Sequence, residues 1–188
     1  VQWQQWVKGD GGDVSRLRRS GDQTATQFAL RVDAHDATTS ADPEVRLAAV
    51  KRIAKAGSQQ ATEVLLKTLS DKDLRVRLEA ISALGRRGGP PVAETLAALA
   101  RYDGAPEVRG AAIRALVQAN APGLAEVLIQ ALRDKSHQIR TEAISLLRQR
   151  ASKRAVEALR AVFRQDNEAG VRWDAFAALQ LVKPSHVM

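Results

Sequence analysis

Val108-Arg109-Gly110-Ala111-Ala112-Ile113-Arg114-Ala115-Leu116 carries the pattern that decides the fold. Its apolar residues Val108, Ala112, Ile113 and Leu116 fall on one face of an α-helix. The same phrase stands upstream as Val45-Arg46 with Ala49, Val50 and Ile53, and as Val76-Arg77 with Ala80, Ile81 and Leu84. It returns downstream as Ile139-Arg140 with Ala143, Ile144 and Leu147, and as Val171-Arg172 with Ala175, Phe176 and Leu179. The starting positions are spaced by 31, 32, 31 and 32 residues. Five copies at so regular a spacing are an internal repeat, and a period of this length is that of stacked helical units.

Between these phrases lies a second amphipathic segment, as in 61–69, 92–99, 124–132 and 155–163. Gly57-Ser58, the Gly88-Gly89-Pro90-Pro91 run and Pro122-Gly123 break the chain between the two kinds of helix. Asp42, Asp71 with Asp73, Asp103, Asp134 and Asp166 precede the Val-Arg helices. An aspartate there accepts hydrogen bonds from free N–H groups and complements the helix dipole. Pro43 and Pro106 suit a first helical turn. Each unit is then a pair of short antiparallel helices, and one hairpin cannot bury its apolar face without a neighbour. The prediction is an all-α, right-handed α-solenoid of about five antiparallel hairpins.

The Asp, Val-Arg, Ala and Leu positions, all in phase, resemble the HEAT-repeat family with its armadillo-like fold. The likeness is to the short bacterial HEAT-like repeats also found in phycobilisome lyases, and it covers residues 41–182. The resemblance implies that the Val-Arg helices line an inner, concave wall. Residues 1–40 fit the pattern poorly and are read as an irregular N-terminal segment or cap that includes a first outer helix. Asp22 to Ala34 supply that helix, although Phe28, Leu30 and Val32 alternate with polar neighbours as a strand would. Trp3 and Trp6 are apolar anchors, and Asp10-Gly11-Gly12-Asp13 reads as a loop. Residues 183–188 read as a loose tail.

Composition narrows the function classes. Of 188 residues, 45% are apolar and 4% aromatic, so the core is built from Ala, Leu, Val and Ile. The absence of cysteine excludes a disulfide framework, a zinc finger and a cysteine nucleophile. No apolar run is long enough to span a bilayer. No signal peptide is read at Val1, and a start at Val rather than Met suggests a trimmed or processed piece. The sequence implies a soluble chain and assigns it to neither the cytoplasm nor the periplasm of a bacterium. The net charge of +8 favours an acidic partner: a protein, a nucleic acid or an anionic membrane surface.

The Arg column Arg46, Arg77, Arg109, Arg140 and Arg172 could grip phosphates. It reads better as a structural ladder to inter-helix aspartates, because what every repeat shares is stacking. Partner specificity is expected where the repeats differ. Leu47, Leu78 and Trp173 follow their arginines directly, and Lys51, Arg114 and Arg148 share that helical face. These six are the predicted partner-binding residues. Arg86, Arg87, Arg150, Lys153 and Arg154 form a basic edge at the hairpin ends, suited to an anion or simply to helix C-termini.

No chemistry-bearing constellation is found, and no catalytic residue, metal or cofactor is expected. His35, His137 and His186 are far apart, and none is followed by Glu as in the HEAT-like iron hydroxylases. HEAT-like glycosylases use an Asp flanked by aromatics. Here Trp173-Asp174 is the one such pair in the repeats, and adjacent side chains diverge around a helix. The expected function is a non-enzymatic scaffold that binds another protein on its concave face and repeat-end turns. The alternatives are a nucleic-acid-binding solenoid and an accessory subunit of a phycobilin-lyase type enzyme. Interleaved acids and scarce aromatics weigh against nucleic acid.

Overall fold

The phrase around Val108 folds as expected, into a helix whose apolar face is sealed. In the computed structural model, which describes residues 23–150 and 152–181, every Val-Arg phrase lies on a helix. The elements are α1 (Gln23–Thr39), α2 (Pro43–Ile53), α3 (Gln59–Thr68), α4 (Leu74–Arg87), α5 (Pro90–Tyr102), α6 (Pro106–Gln118), α7 (Leu124–Ala131), α8 (His137–Arg148), α9 (Lys153–Gln165) and α10 (Ala169–Leu181). No strand occurs among the described residues. None of these helices is long and apolar enough to cross a membrane. The architecture is all-α and of the armadillo/HEAT solenoid class. Trp3, Trp6, the 10–13 loop and the 183–188 tail lie outside the described residues.

The segment whose pattern allowed helix or strand is α1. Its buried residues Ala29, Leu30, Val32, Asp33 and Ala37 fit a helical face once Asp33 is counted with the core. Asp33 is fully buried and accepts from Arg52 Nε of α2 at 2.6 Å. A buried carboxylate stands in the apolar stripe, so polarity alone hides the period.

The chain forms two compact units, 1–80 and 81–188, with the boundary inside α4. In the first, α1 packs on α2 and α3. In the second, α5, α7 and α9 pack in succession as one layer, and α6, α8 and α10 as the other. Ala49, Ala80, Ala112, Ala143 and Ala175 are all 0% exposed. A methyl group at this point lets the helices of a hairpin approach, and a larger side chain would push them apart. Gly85 of α4 goes further within the second unit. A Cβ placed on it would lie 2.7 Å from the Cβ and 2.8 Å from the Cα of Ala115 in α6.

Local signals set the helix ends. Asp42 caps α2 through the N–H of Glu44 at 2.8 Å. Ser58 and Ser152 cap α3 and α9 through the N–H groups of Ala61 and Ala155. Pro43, Pro90 and Pro106 open their helices, where no N–H partner is needed. Gly88 and Gly89, at φ 66° and 91°, make the turn from α4 to α5 in a region side chains disfavour.

Candidate functional site

The Arg column is built into the stack. Arg109 donates from Nε to Asp134 Oδ2 at 2.7 Å and from Nη2 to Oδ1 at 2.6 Å. Its Nη1 turns back to the carbonyls of Asp103 and Gly104, at 2.9 and 3.3 Å. One guanidinium thus ties its own inter-helix turn to the turn of the next repeat. Arg46 does the same with Asp71, Ser40 and Ala41. Arg140 repeats it with Asp166, Asp134 and Lys135. Arg77 holds the carbonyls of Asp71 and Lys72. The planar fork of arginine matches a carboxylate in two bonds at once, which lysine cannot do.

The aspartates sit two residues ahead of where a simple helix cap would stand. Asp71, Asp103, Asp134 and Asp166 accept from the N–H two residues on, which shapes the turn. Burial pushes the carboxyls of Asp71, Asp134 and Asp166 upward. The guanidinium bonds and the turn N–H outweigh it, so all three rest below the ordinary carboxylate value. A charge partnered on both sides is not free to take a ligand.

In the row directly after each arginine, Gly110 and Thr141 face the following repeat. Gly110 is buried, and a Cβ there would meet Ile139 Cδ1 of α8 at 3.0 Å. Thr141 Oγ1 donates to Asp174 Oδ2 of α10 at 3.2 Å. Leu47 and Leu78, in the first unit, are half-buried. Trp173 occupies the same row in the last described repeat and is 68% exposed.

The other predicted contacts are solvent-facing. Lys51 and Arg148 are exposed, with no carboxylate partner among the described residues. Arg114 is exposed but chelates Glu142 of α8 at 3.0 and 3.1 Å. Of the basic edge, Arg86 donates to Ser82 Oγ within α4, and Arg87 is half-buried. Burial, and then the adjacent Arg86, lowers the pKa of Arg87 below the ordinary guanidinium value. Arg150 reaches the Leu146 carbonyl at 3.5 Å, Lys153 is exposed, and Arg154 pairs with Glu126 at 2.6 Å. Surface pairs of this kind spend positive charge and contribute little stability.

Aromatic surface is where the sequence reading fell short. Trp173 stacks on Phe176, and Phe176 on Phe163 of α9, each at a centroid distance of 5.6 Å. Phe163 is 43% and Leu181 62% exposed. Within the second unit the residues corresponding to Phe176 and Leu179 are Ile81 and Leu84, Ile113 and Leu116, and Ile144 and Leu147. These are at most 2% exposed, whereas Phe176 and Leu179 are half-buried. Phe163 sits on α9, outside the Val-Arg helices that carry the repeat phrase. Tyr102, 81% exposed at the end of α5, was missed for the same reason.

The family profile for HEAT repeats matches residues 34–116 and again 93–180. A search of curated protein sequences gave no match. Among solved structures, a chain in the complex of CpcE and CpcF of phycocyanin lyase from Nostoc sp. PCC7120 is similar, with 21% identity. The alignment covers 84% of this chain and 99% of that one, with a TM-score of 0.55. An engineered protein is similar at 24% identity, over 90% of this chain and 96% of its own, with a TM-score of 0.50. A second engineered protein is similar at 24% identity, over 92% of this chain and 58% of its own, also with a TM-score of 0.50. At such identities the likeness speaks for the fold.

Proposed function

The chain belongs to the HEAT-repeat family, and we propose that it is a non-enzymatic scaffold whose work is to hold another protein. The observation that carries this reading is Trp173, 68% exposed and stacked on Phe176. A rigid, amphipathic aromatic held on a helix loses little conformational freedom when a partner covers it, which is why tryptophan dominates interface hot spots. Left in water, the same apolar surface costs free energy. Arg148, exposed in the same unit, contributes orientation and attraction to an acidic surface.

Arg46, Arg109 and Arg140 do not take part, because Asp71, Asp134 and Asp166 neutralise them. Of the other arginines, Arg52, Arg75, Arg114 and Arg154 are also paired with acids. That distribution suits a mixed protein surface better than a continuous phosphate backbone. Affinity capture from the source cell, followed by calorimetric titration of the purified partner, tests the reading. A saturable one-to-one protein complex supports it. Binding only to oligonucleotides, or turnover of a small molecule with no protein partner, refutes it.

A further inference from the structure

The turn that leads into α6 is bare where the later turns carry side chains. Lys135 and Asn167 stand in those turns at the place where this one has Gly104. A Cβ on Gly104 would stand in open space, with nothing within 4 Å. A cleft of about 790 Å³ lies here, between the α5–α6 turn and the α7–α8 turn and wholly within the second unit.

The lining of this cleft is unevenly charged. It holds Arg101, Arg109, Arg133 and Lys135 against Asp103 and Asp134. Arg109 and Asp134 are spent on each other, which leaves three cations against one acid. Arg101 donates from Nε to Gln130 Oε1 of α7, and its two Nη nitrogens meet no carboxylate among the described residues. Arg133 and Lys135 are exposed and have no acid partner among the described residues. In the turn before α4, Lys72 is followed by Asp73, whereas here Lys135 is followed by the neutral Ser136. Tyr102, 81% exposed, belongs to the same lining.

We propose that this cleft binds an acidic peptide segment of the partner, with carboxylates on Arg101, Arg133 and Lys135 and an apolar side chain on the Tyr102 ring. The inference rests on the partner-binding reading and adds the place and chemistry of a second contact. Charge complementarity selects the occupant, since carboxylates bond strongly to unmatched guanidinium and ammonium groups. An exposed tyrosine offers a partner rigid apolar area with a polar tip. Pockets that take drug-sized ligands measure roughly 300–1,000 Å³, so the cleft has room for several residues rather than one ion. Asp103 separates a peptide from a phosphate chain. Its Oδ1 accepts from the N–H of Ala105 at 2.9 Å, and its Oδ2 meets no donor among the described residues. A peptide backbone has N–H groups to offer that oxygen, whereas a phosphate chain has none and is repelled.

Selection of displayed random short peptides on the immobilised full chain tests this, with the enriched peptides then titrated by fluorescence anisotropy. The expected peptides carry several Asp or Glu beside an apolar residue. Arg133→Glu should weaken their binding about ten-fold or more, as the loss of a charge-assisted bond does. Arg160→Glu, exposed on α9 outside the cleft, makes the same change of net charge and should leave the affinity nearly unchanged. Gly104→Gln places a neutral side chain in the bare turn and should also weaken binding, by about ten-fold. Enriched peptides without acids, equal losses from Arg133→Glu and Arg160→Glu, or indifference to Arg133→Glu and Gly104→Gln overturn the proposal. So does tighter binding of ATP, of oligothymidylate, of a peptide spanning residues 1–22 or of a second copy of the chain. No acidic peptide, while a protein partner is still captured from the source cell, overturns this inference and leaves the scaffold reading standing. No partner by either route removes both.

Discussion

Arg109 and Asp134, 25 residues apart, form a bidentate pair whose side chains are only 10% and 8% exposed. Truncating one member leaves the other charged, enclosed and unpaired. Asp134→Ala should therefore destabilise the chain by about 3–5 kcal/mol, and the double variant Arg109→Ala/Asp134→Ala by less than the sum of the single changes. Urea unfolding of the four proteins of that cycle checks this. Additive losses would mean that the two residues act independently.

The same pairs set an acid limit to stability. Asp71, Asp134 and Asp166 are held below their ordinary carboxylate value, so the folded chain binds these protons less tightly than the unfolded chain. The stability they contribute is fully present above the unfolded value of about 3.9 and is lost as pH falls through the lowered folded values. Unfolding midpoints measured through that acidic window should drop steeply. Asp134→Asn should flatten part of the slope, and an unchanged slope would show that its depressed value contributes nothing.

Gly85→Ala tests the close contact between α4 and α6 in the second unit. Helix propensity alone would favour Ala by about 1 kcal/mol. The added Cβ, however, meets Ala115 Cβ at 2.7 Å and Cα at 2.8 Å, and one of those atoms is backbone. Overpacking of this kind costs about 1–3 kcal/mol, so the net effect should be a lowered thermal midpoint. A raised midpoint would mean that the helices separate freely there.

The charge pattern makes a prediction about salt. Arg46, Arg109 and Arg140 are bound to aspartates, and Arg75, Arg114 and Arg154 pair with Glu44, Glu142 and Glu126. These six arginines are matched by acids rather than set against phosphates. Retention on a polyanion column should therefore fade at modest salt. A steep linear fall of log affinity with log salt would instead mark neutralisation of several phosphates.

Much of the fold could be read in the sequence, because each repeat writes the same requirement at the same spacing. The Arg and Asp columns marked the ladder. The direction of the clasp, from Arg109 back to its own turn and forward to Asp134, depends on which turn lies above it in three dimensions. The helix α1 was half hidden because Asp33 is buried in its apolar face and bonded to Arg52. Leu47, Leu78 and Trp173 follow their repeat arginines as Gly110 and Thr141 do. Gly110 lies against Ile139 and Thr141 is bonded to Asp174, so these two face the next repeat. Trp173 is exposed in the last described repeat, a distinction that periodicity cannot carry, since each copy of the repeat looks like the others.

The most direct test of the scaffold reading is the dissociation constant of the purified partner complex, compared between the wild type and Trp173→Ala, with thermal midpoints in parallel. A side chain 68% exposed contributes little to folding, so the midpoint should move only slightly. The affinity should weaken about ten-fold or more, as for an interface hot spot. An unchanged dissociation constant, or a loss of binding explained by a collapse of the midpoint, would contradict the account.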